Sequence, residues 1–366
     1  MTWMLRLVFL MLSAGTFSAT ADDTTLDEFI ETTGIRASST PVREHAAWTP
    51  EPTIIVQARP GVTDGLVEAF PDANMIVVSD VDEALPHAEK AHVMVGLCRS
   101  ELIDAAPDLA WVQVFWAGVE RCLAIDSIGN GRVLLTNMQK MSSPTIGEHA
   151  IAMMLSLTRN LPTFAKAMPE GAWRRDLAGN SGMMSVDGKT MLVVGLGGIG
   201  KQIAMRAKAL GMRVVATRNS SREGPPYVDY VGLSDELHAL AGQADVIVNA
   251  LPLTPATDGL FDAEFFERAK PGSYFINVGR GATVVTGALL TALEEGHLSG
   301  AGLDVTDPEP LPADHALWQM SNVIITPHVA GSGGSRRWHA MLLRENIRRF
   351  LAGEALLNVV DPARGY

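Results

Sequence analysis

Three residues late in the chain, Arg280, Glu309 and His328, carry side chains whose combination does specific chemistry. A guanidinium can fork onto a carboxylate and the carbonyl beside it, and it polarises that carbonyl, which a lysine cannot do in the same geometry. An imidazole can give a proton to a carbonyl oxygen or take one from an alcohol, and a neighbouring carboxylate favours its cationic form. Reducing a 2-oxo acid calls for this set: a cation for the acid group and a proton donor for the oxygen. Each residue stands just past an apolar run that reads as a strand. Arg280 lies in Asn277-Val278-Gly279-Arg280-Gly281 after Ser273–Val278, Glu309 follows Leu303-Asp304-Val305, and His328 lies in Ile325-Thr326-Pro327-His328-Val329. Strand carboxyl ends are where open α/β sheets bind ligands.

Upstream, Met191-Leu192-Val193-Val194 runs into Gly195-Leu196-Gly197-Gly198-Ile199-Gly200 and then a helix-forming stretch, Lys201–Leu210. Gly195 serves the tight turn, Gly197 lets the backbone approach a pyrophosphate, and Gly200 permits close packing of helix on strand. The helix N-terminus offers free N–H groups to phosphate. A dinucleotide is therefore expected here. The next strand, Arg213–Thr217, ends in Thr217-Arg218-Asn219-Ser220-Ser221-Arg222, with no acidic residue where a ribose 2′-hydroxyl would need one. Arg218 and Arg222 suit a 2′-phosphate, so NADP is expected over NAD, which stays possible; the competing reading is that both arginines only solvate a loop.

These residues need elements to position them, and the chain supplies two blocks of alternating strands and helices, the pattern of parallel α/β sheets. In the first block, strands are expected at Thr53–Gln57, Met75–Val78, His92–Gly96 and Trp111–Phe115. From Pro144, the residues Ile146, Ala150, Met153, Met154, Leu157 and Leu161 form one apolar stripe at helical spacing, and a helix there would bridge the blocks. Its methionines read as packing residues, and His149 as an ordinary helix residue at the junction. A last helix is expected over Ser335–Ala352. Residues 22–52 show no periodicity and read as an irregular arm.

A chain of 366 residues suits two domains, and 47% hydrophobic with 19% charged residues argues for a folded body. The net charge of −12 excludes nucleic acid and anionic membranes as partners, so an anionic substrate must be caught by local cations. Arg6, the apolar run Leu7–Leu12 and Ala19-Thr20-Ala21 read as an export signal over residues 1–21; no later run is long enough to span a membrane, so no insertion is expected after processing. A periplasmic or otherwise exported location follows, with the cytoplasm as the alternative because free NADPH is scarce outside it. Cys98 and Cys122 match no metal-ligand spacing, and no metal is expected; two free thiols are expected rather than one bridge.

Several stretches, in order from about 53 to 360, resemble the D-isomer-specific 2-hydroxyacid dehydrogenase family. Besides the glycine turn, they are Ala117-Gly118-Val119, Gly147-Glu148-His149-Ala150 with Arg159-Asn160-Leu161-Pro162, Leu251-Pro252-Leu253-Thr254, Asn277 to Gly281, Leu303-Asp304-Val305 with Glu309, and Pro327-His328. The resemblance implies a Rossmann dinucleotide-binding domain, 161–330, and a discontinuous flavodoxin-like substrate domain made of 22–160 and a returning segment, 331–366. It implies that Arg280 binds substrate, His328 donates the proton, Glu309 pairs with His328, and Asp304 sits near the nicotinamide. Cofactor contacts are expected from Gly195, Gly197, Gly198, Ile199, Gly200, Thr217, Arg218, Asn219, Leu251, Pro252, Thr257, Val278, Gly279, Arg280, Asp304 and His328.

The substrate carboxylate is expected on backbone N–H groups of Ala117, Gly118 and Val119. Trp116, Cys98 or Arg99 could line the pocket, Trp116 equally being pure packing. Glu120 departs from the family, which more often has Asp there. The implied activity is hydride transfer between NADP(H) and a small 2-oxo or D-2-hydroxy acid, leaning to glyoxylate or hydroxypyruvate, by a homodimer. Alternatives are a phosphite dehydrogenase-like enzyme and a cofactor-sensing scaffold on the same fold. An L-specific dehydrogenase would carry its glycine turn near the amino terminus, and formate dehydrogenases have Gln where Glu309 stands.

Overall fold

A computed structural model describes residues 25–363 except 172 and 180–182. The expected signal, 1–21, lies outside the described residues.

The first sheet contains β1 (Thr53–Gln57), β2 (Asn74–Val78), β3 (Val93–Val95), β4 (Trp111–Gln113) and β5 (Leu134–Thr136) in the order 2-1-3-4-5, all parallel. That is the flavodoxin-like order. Strands β1, β3 and β4 are short apolar runs buried on both faces, as a sheet covered on both sides demands. The second sheet contains β6 (Thr190–Val194), β7 (Arg213–Thr217), β8 (Tyr230–Gly232), β9 (Val246–Asn249), β10 (Ser273–Asn277), β11 (Leu298–Leu303) and β12 (Val323–Ile325). Their order, 12-11-10-9-6-7-8, is parallel throughout and places β6, with its glycine turn, beside β9. This is the doubly wound dinucleotide-binding arrangement, whose crevice opens where the strand order reverses.

Three expectations are corrected. Residues 26–33 are not an irregular arm but a helix, Leu26–Thr33, closed by a Thr25–Glu28 capping box and a left-handed Gly34. One buried side chain per helix is too little for periodicity to reveal: Phe29 packs into the first core, edge-on to Trp338. Second, the helix from Pro144, observed as Ser143–Thr158, shares a core with Met191, Ile203 and Ile276 of the second block, so a division at 160 cuts too late. Third, Cys98 and Cys122 are bonded to each other rather than free. Neighbouring β3 and β4 deliver their following segments side by side, with the two Cα atoms 5.9 Å apart.

The returning helix, Arg336–Leu351, docks on the first sheet through Leu342, Leu343, Ile347 and Phe350, the last stacked on Trp111 at 5.4 Å between centroids. Buried Asn346 hydrogen-bonds Gln113 on β4 at 3.1 Å and Leu357 on the outgoing chain, which tethers the helix to the sheet. No helix among the described residues is long and apolar enough to cross a membrane.

Candidate active site

The loops leaving β10, β11 and β12 are neighbours because those strands are hydrogen-bonded in sequence. Arg280 follows β10, and its loop is held by buried amides. Asn249 Nδ2 donates to Asn277 Oδ1 at 2.9 Å and to Thr283 Oγ1 at 2.7 Å; Asn277 Nδ2 and Thr283 Oγ1 both donate to the Arg280 carbonyl. A Cβ on Gly281 would collide with the Thr306 carbonyl oxygen, so only glycine lets the β11 loop, which carries Glu309, lie against the Arg280 loop.

His328 Nδ1 lies 2.7 Å from Glu309 Oε1, and its Nε2 makes no hydrogen bond among the described residues. A carboxylate accepts only, so the ring presents N–H at Nδ1 and turns Nε2 outward. Both side chains are about half exposed. His328 adopts φ 54°, a left-handed backbone uncommon outside glycine, and Asp304 below it fixes that turn. Buried Asp304 accepts from Thr326 Oγ1 (2.6 Å), Val329 N (2.9 Å) and Ala330 N (3.0 Å), while the His328 N–H donates to the Asp304 carbonyl. Because Thr326 gives its proton to Asp304, its oxygen accepts from His149 Nε2 at 3.0 Å. His149, read as an ordinary helix residue, thus buttresses the turn that carries His328.

Across the cleft, Trp116–Glu120 follows β4. The backbone N–H groups of Ala117, Gly118 and Val119 make no hydrogen bond among the described residues, while Asn137 Nδ2 holds the Ala117 carbonyl at 2.7 Å. Trp116 is 43% exposed, so it is not a packing residue. Arg280 crosses to this loop. Its Nε donates to Glu120 Oε1 at 2.9 Å, Nη1 donates to the Gly279 carbonyl, and a Cβ on Gly118 would strike Nη2.

The glycine turn fits a dinucleotide. Gly195 has φ 94°, a Cβ on Gly200 would collide with the Gly195 carbonyl, and the space at Gly197 is open. The helix Gly198–Ala209 begins with no side-chain cap, leaving its N–H groups for an anion. Thr257 spends its hydroxyl within the 252–257 loop, on the Pro252 carbonyl, and Thr217 is buried. Among the described residues Arg218 bonds only the Glu223 carbonyl, which leaves its charge without a carboxylate partner there, whereas Arg222 is paired with Glu236 at 2.7 Å. Of the two arginines expected at a 2′-phosphate, only Arg218 keeps charge for one. Asn219 is exposed beside it.

Residues 151–330 match the family description "D-isomer specific 2-hydroxyacid dehydrogenase, NAD binding domain". Over 284 residues the chain is 31% identical to glyoxylate/hydroxypyruvate reductase B of an Enterobacter species, covering 75% of this chain and 87% of that one. The chain belongs to the D-isomer-specific 2-hydroxyacid dehydrogenase family. It is also 31% identical over 306 residues to D-3-phosphoglycerate dehydrogenase of Mycobacterium tuberculosis; that covers 82% of this chain, which spans about half, 54%, of that relative. A crystal structure of an NADPH-dependent glyoxylate/hydroxypyruvate reductase of Sinorhizobium meliloti, in complex with NADP and sulfate, superposes with a TM-score of 0.73 at 29% identity, covering 86% of this chain and 100% of that one.

As a member of that family, this dehydrogenase is an oxidoreductase that acts on CH–OH donors with a nicotinamide dinucleotide. Its sequence hid one cation near the glycine turn. Lys140, with φ 72°, packs its Cγ 3.1 Å from where a Cβ on Gly198 would stand, while its Nζ donates to the Gly34 carbonyl. Burial, then repulsion from Arg36 and Lys201, holds its ammonium below the usual lysine range. Its only sequence signal was a lone lysine ahead of the bridging helix.

Proposed function

We propose that this dehydrogenase interconverts a small 2-oxo acid, glyoxylate or hydroxypyruvate, and its D-2-hydroxy acid with NADP(H). The observation that carries the reading is the His328–Glu309 pair at 2.7 Å, with Nε2 turned outward on the sheet edge that also bears Arg280. Arg280 and the free N–H groups of Ala117–Val119 hold the substrate carboxylate, and Arg280 polarises the carbonyl. His328 delivers a proton from Nε2 to the carbonyl oxygen in reduction and takes it back in oxidation. Glu309 keeps the ring oriented and balances the imidazolium charge. The nicotinamide, when bound, supplies or accepts the hydride.

The glycine turn with Ile199 and the uncapped helix end hold the pyrophosphate, while Leu251, Pro252, Val278, Gly279 and Asp304 line the path toward the nicotinamide. Arg218 takes the 2′-phosphate, and the NADP bound by the Sinorhizobium relative agrees with that preference.

Oxidation of NADPH and NADH by the purified protein with glyoxylate, hydroxypyruvate, pyruvate and phenylpyruvate tests this. NADPH-dependent turnover that disappears in His328→Ala is expected; turnover with NADH alone would sink the cofactor assignment, and none with either would sink the reaction. Export led by residues 1–21 and assembly as a homodimer through the second domain and residues 144–160 belong to the same reading. Amino-terminal sequencing after cell fractionation and analytical sedimentation are the corresponding measurements.

A further inference from the structure

The ion pair that crosses the cleft has no place in the reaction as proposed. Arg280 is the cation assigned to the substrate carboxylate, yet its Nε is already donated to Glu120 Oε1 at 2.9 Å. The other oxygen, Oε2, stands 2.9 Å from where a Cβ on Gly118 would be, and Arg280 Nη2 overhangs the same spot. An internal carboxylate therefore lies beside Gly118, in the loop whose backbone N–H groups are meant for the carboxylate of the substrate. The pair is not packed away, the two side chains being 28% and 39% exposed, so Glu120 can swing aside. Its backbone cannot follow. Glu120 opens the short helix Glu120–Leu123, whose Cys122 is bonded to Cys98 on the loop after β3, and Val119 ahead of it is buried. Once displaced from Arg280, the Glu120 charge has to remain on the pocket wall.

We propose that Glu120 is a specificity-determining residue: it occupies Arg280 until a substrate carboxylate replaces it, and it then admits 2-oxo monoacids while rejecting those bearing a second anionic group. Like charges held a few ångströms apart in a partly desolvated cleft repel strongly, whereas a hydroxyl on the substrate can donate to the displaced carboxylate. The favoured class is thus a 2-oxo monoacid whose remaining substituent is hydrogen or a hydroxymethyl group, and the rejected class carries a phosphate or a second carboxylate. This rests on the reading of Arg280 as the carboxylate-binding cation.

The test compares oxamate and oxalate, two probes of equal size that differ by one charge. Calorimetric titration of the full chain loaded with NADPH measures both affinities in the unaltered protein, Glu120→Gln and Glu120→Asp. Glu120→Gln is expected to tighten oxalate about tenfold more than it tightens oxamate, a difference of about 1.4 kcal/mol. Glu120→Asp, which keeps the charge, should retain the preference for oxamate. In steady state the same glutamine variant should lower KM for oxaloacetate relative to hydroxypyruvate.

An equal change in both affinities, or aspartate behaving like glutamine, would show that the side chain only positions Arg280 and would overturn the inference. If no 2-oxo acid is reduced but the oxamate-to-oxalate ratio moves as expected, the functional reading fails and the role of Glu120 stands. If hydroxypyruvate is reduced and the ratio stays put, the role of Glu120 alone falls.

Discussion

The two walls of the cleft are fastened in different ways. On the second-sheet side, Asn249, Asn277, Thr283 and Asp304 are all buried and spend their polar atoms on the loops that carry Arg280 and His328. On the first-sheet side, a single buried amide, Asn137, holds the largely exposed loop Trp116–Glu120, helped by the Glu120–Arg280 pair and by the Cys98–Cys122 bond that fixes the helix after it. A buried polar group that loses its partner costs far more than an exposed one, so the first wall is fixed down to its side chains, whereas on the second the backbone is held and the partly exposed side chain of Glu120 can move. His328, the proposed proton donor, sits on the wall held by buried bonds, where position would matter most, and the proposal leaves the other wall to meet the variable part of the substrate.

The largest effect is expected from the reacting group itself. His328→Ala should lower kcat by about 10²–10⁴-fold, the usual worth of a positioned acid–base residue, with the melting temperature unchanged. Unfolding on substitution would mean that this wall is structural rather than chemical. Next comes its scaffold: Asn277→Ala leaves Asn249 and the Arg280 carbonyl short of partners and should cost about 1–3 kcal/mol in denaturant unfolding, with a fall in kcat. Asn137→Ala on the other wall should cost about 1 kcal/mol and act on KM, because the Ala117 carbonyl it holds belongs to an exposed residue that water can reach. Equal penalties for the two asparagines would remove the contrast.

A further substitution probes the adenosine end of the cofactor. Arg218→Ala should weaken NADPH about tenfold and leave NADH little changed, as loss of one charge-assisted contact to the 2′-phosphate implies. Fluorescence titration with each cofactor reads this out, and parallel losses in Arg218→Ala would discard the phosphate role.

The smallest effect concerns a charge cluster within the returning helix. Burial pushes the Glu345 carboxyl up, but hydrogen bonds from Arg348 and Arg349 outweigh it and hold the group below the ordinary carboxylate range. Its folded value therefore lies under its unfolded one, so the stability it adds is fully present above roughly pH 4 and is lost as pH falls through the folded value. Glu345→Gln should flatten that part of the acid unfolding profile. A slope that survives the substitution would place the acid sensitivity elsewhere.

Much of this was legible in the sequence because the signals are local. Strand, glycine turn and helix at 191–210 follow one another within a single βα unit, and the missing acid at the end of β7 is a matter of one position. Thr25-x-x-Glu28 is also a local signal, a capping box, but with a single buried side chain behind it the helix Leu26–Thr33 gives no periodicity to count. What escaped were partnerships between residues far apart in the chain: His149 with Thr326, Cys98 with Cys122, and Glu120 with Arg280.

The sequence by itself determined the two parallel sheets, the dinucleotide turn and the identity of the groups able to hold an acid and move a proton. Hydrophobic period, glycine placement and side-chain chemistry are properties of short segments and survive without any knowledge of neighbours. Only the tertiary structure decided which charges are spent and which are free. Arg218 and Arg222 look alike in sequence, yet folding brings Glu236 to one and only a backbone carbonyl to the other, and Arg280 meets Glu120 because two separate sheets close on one cleft. Coulomb energy falls with distance in space, not along the chain, so no local pattern could have assigned those pairs.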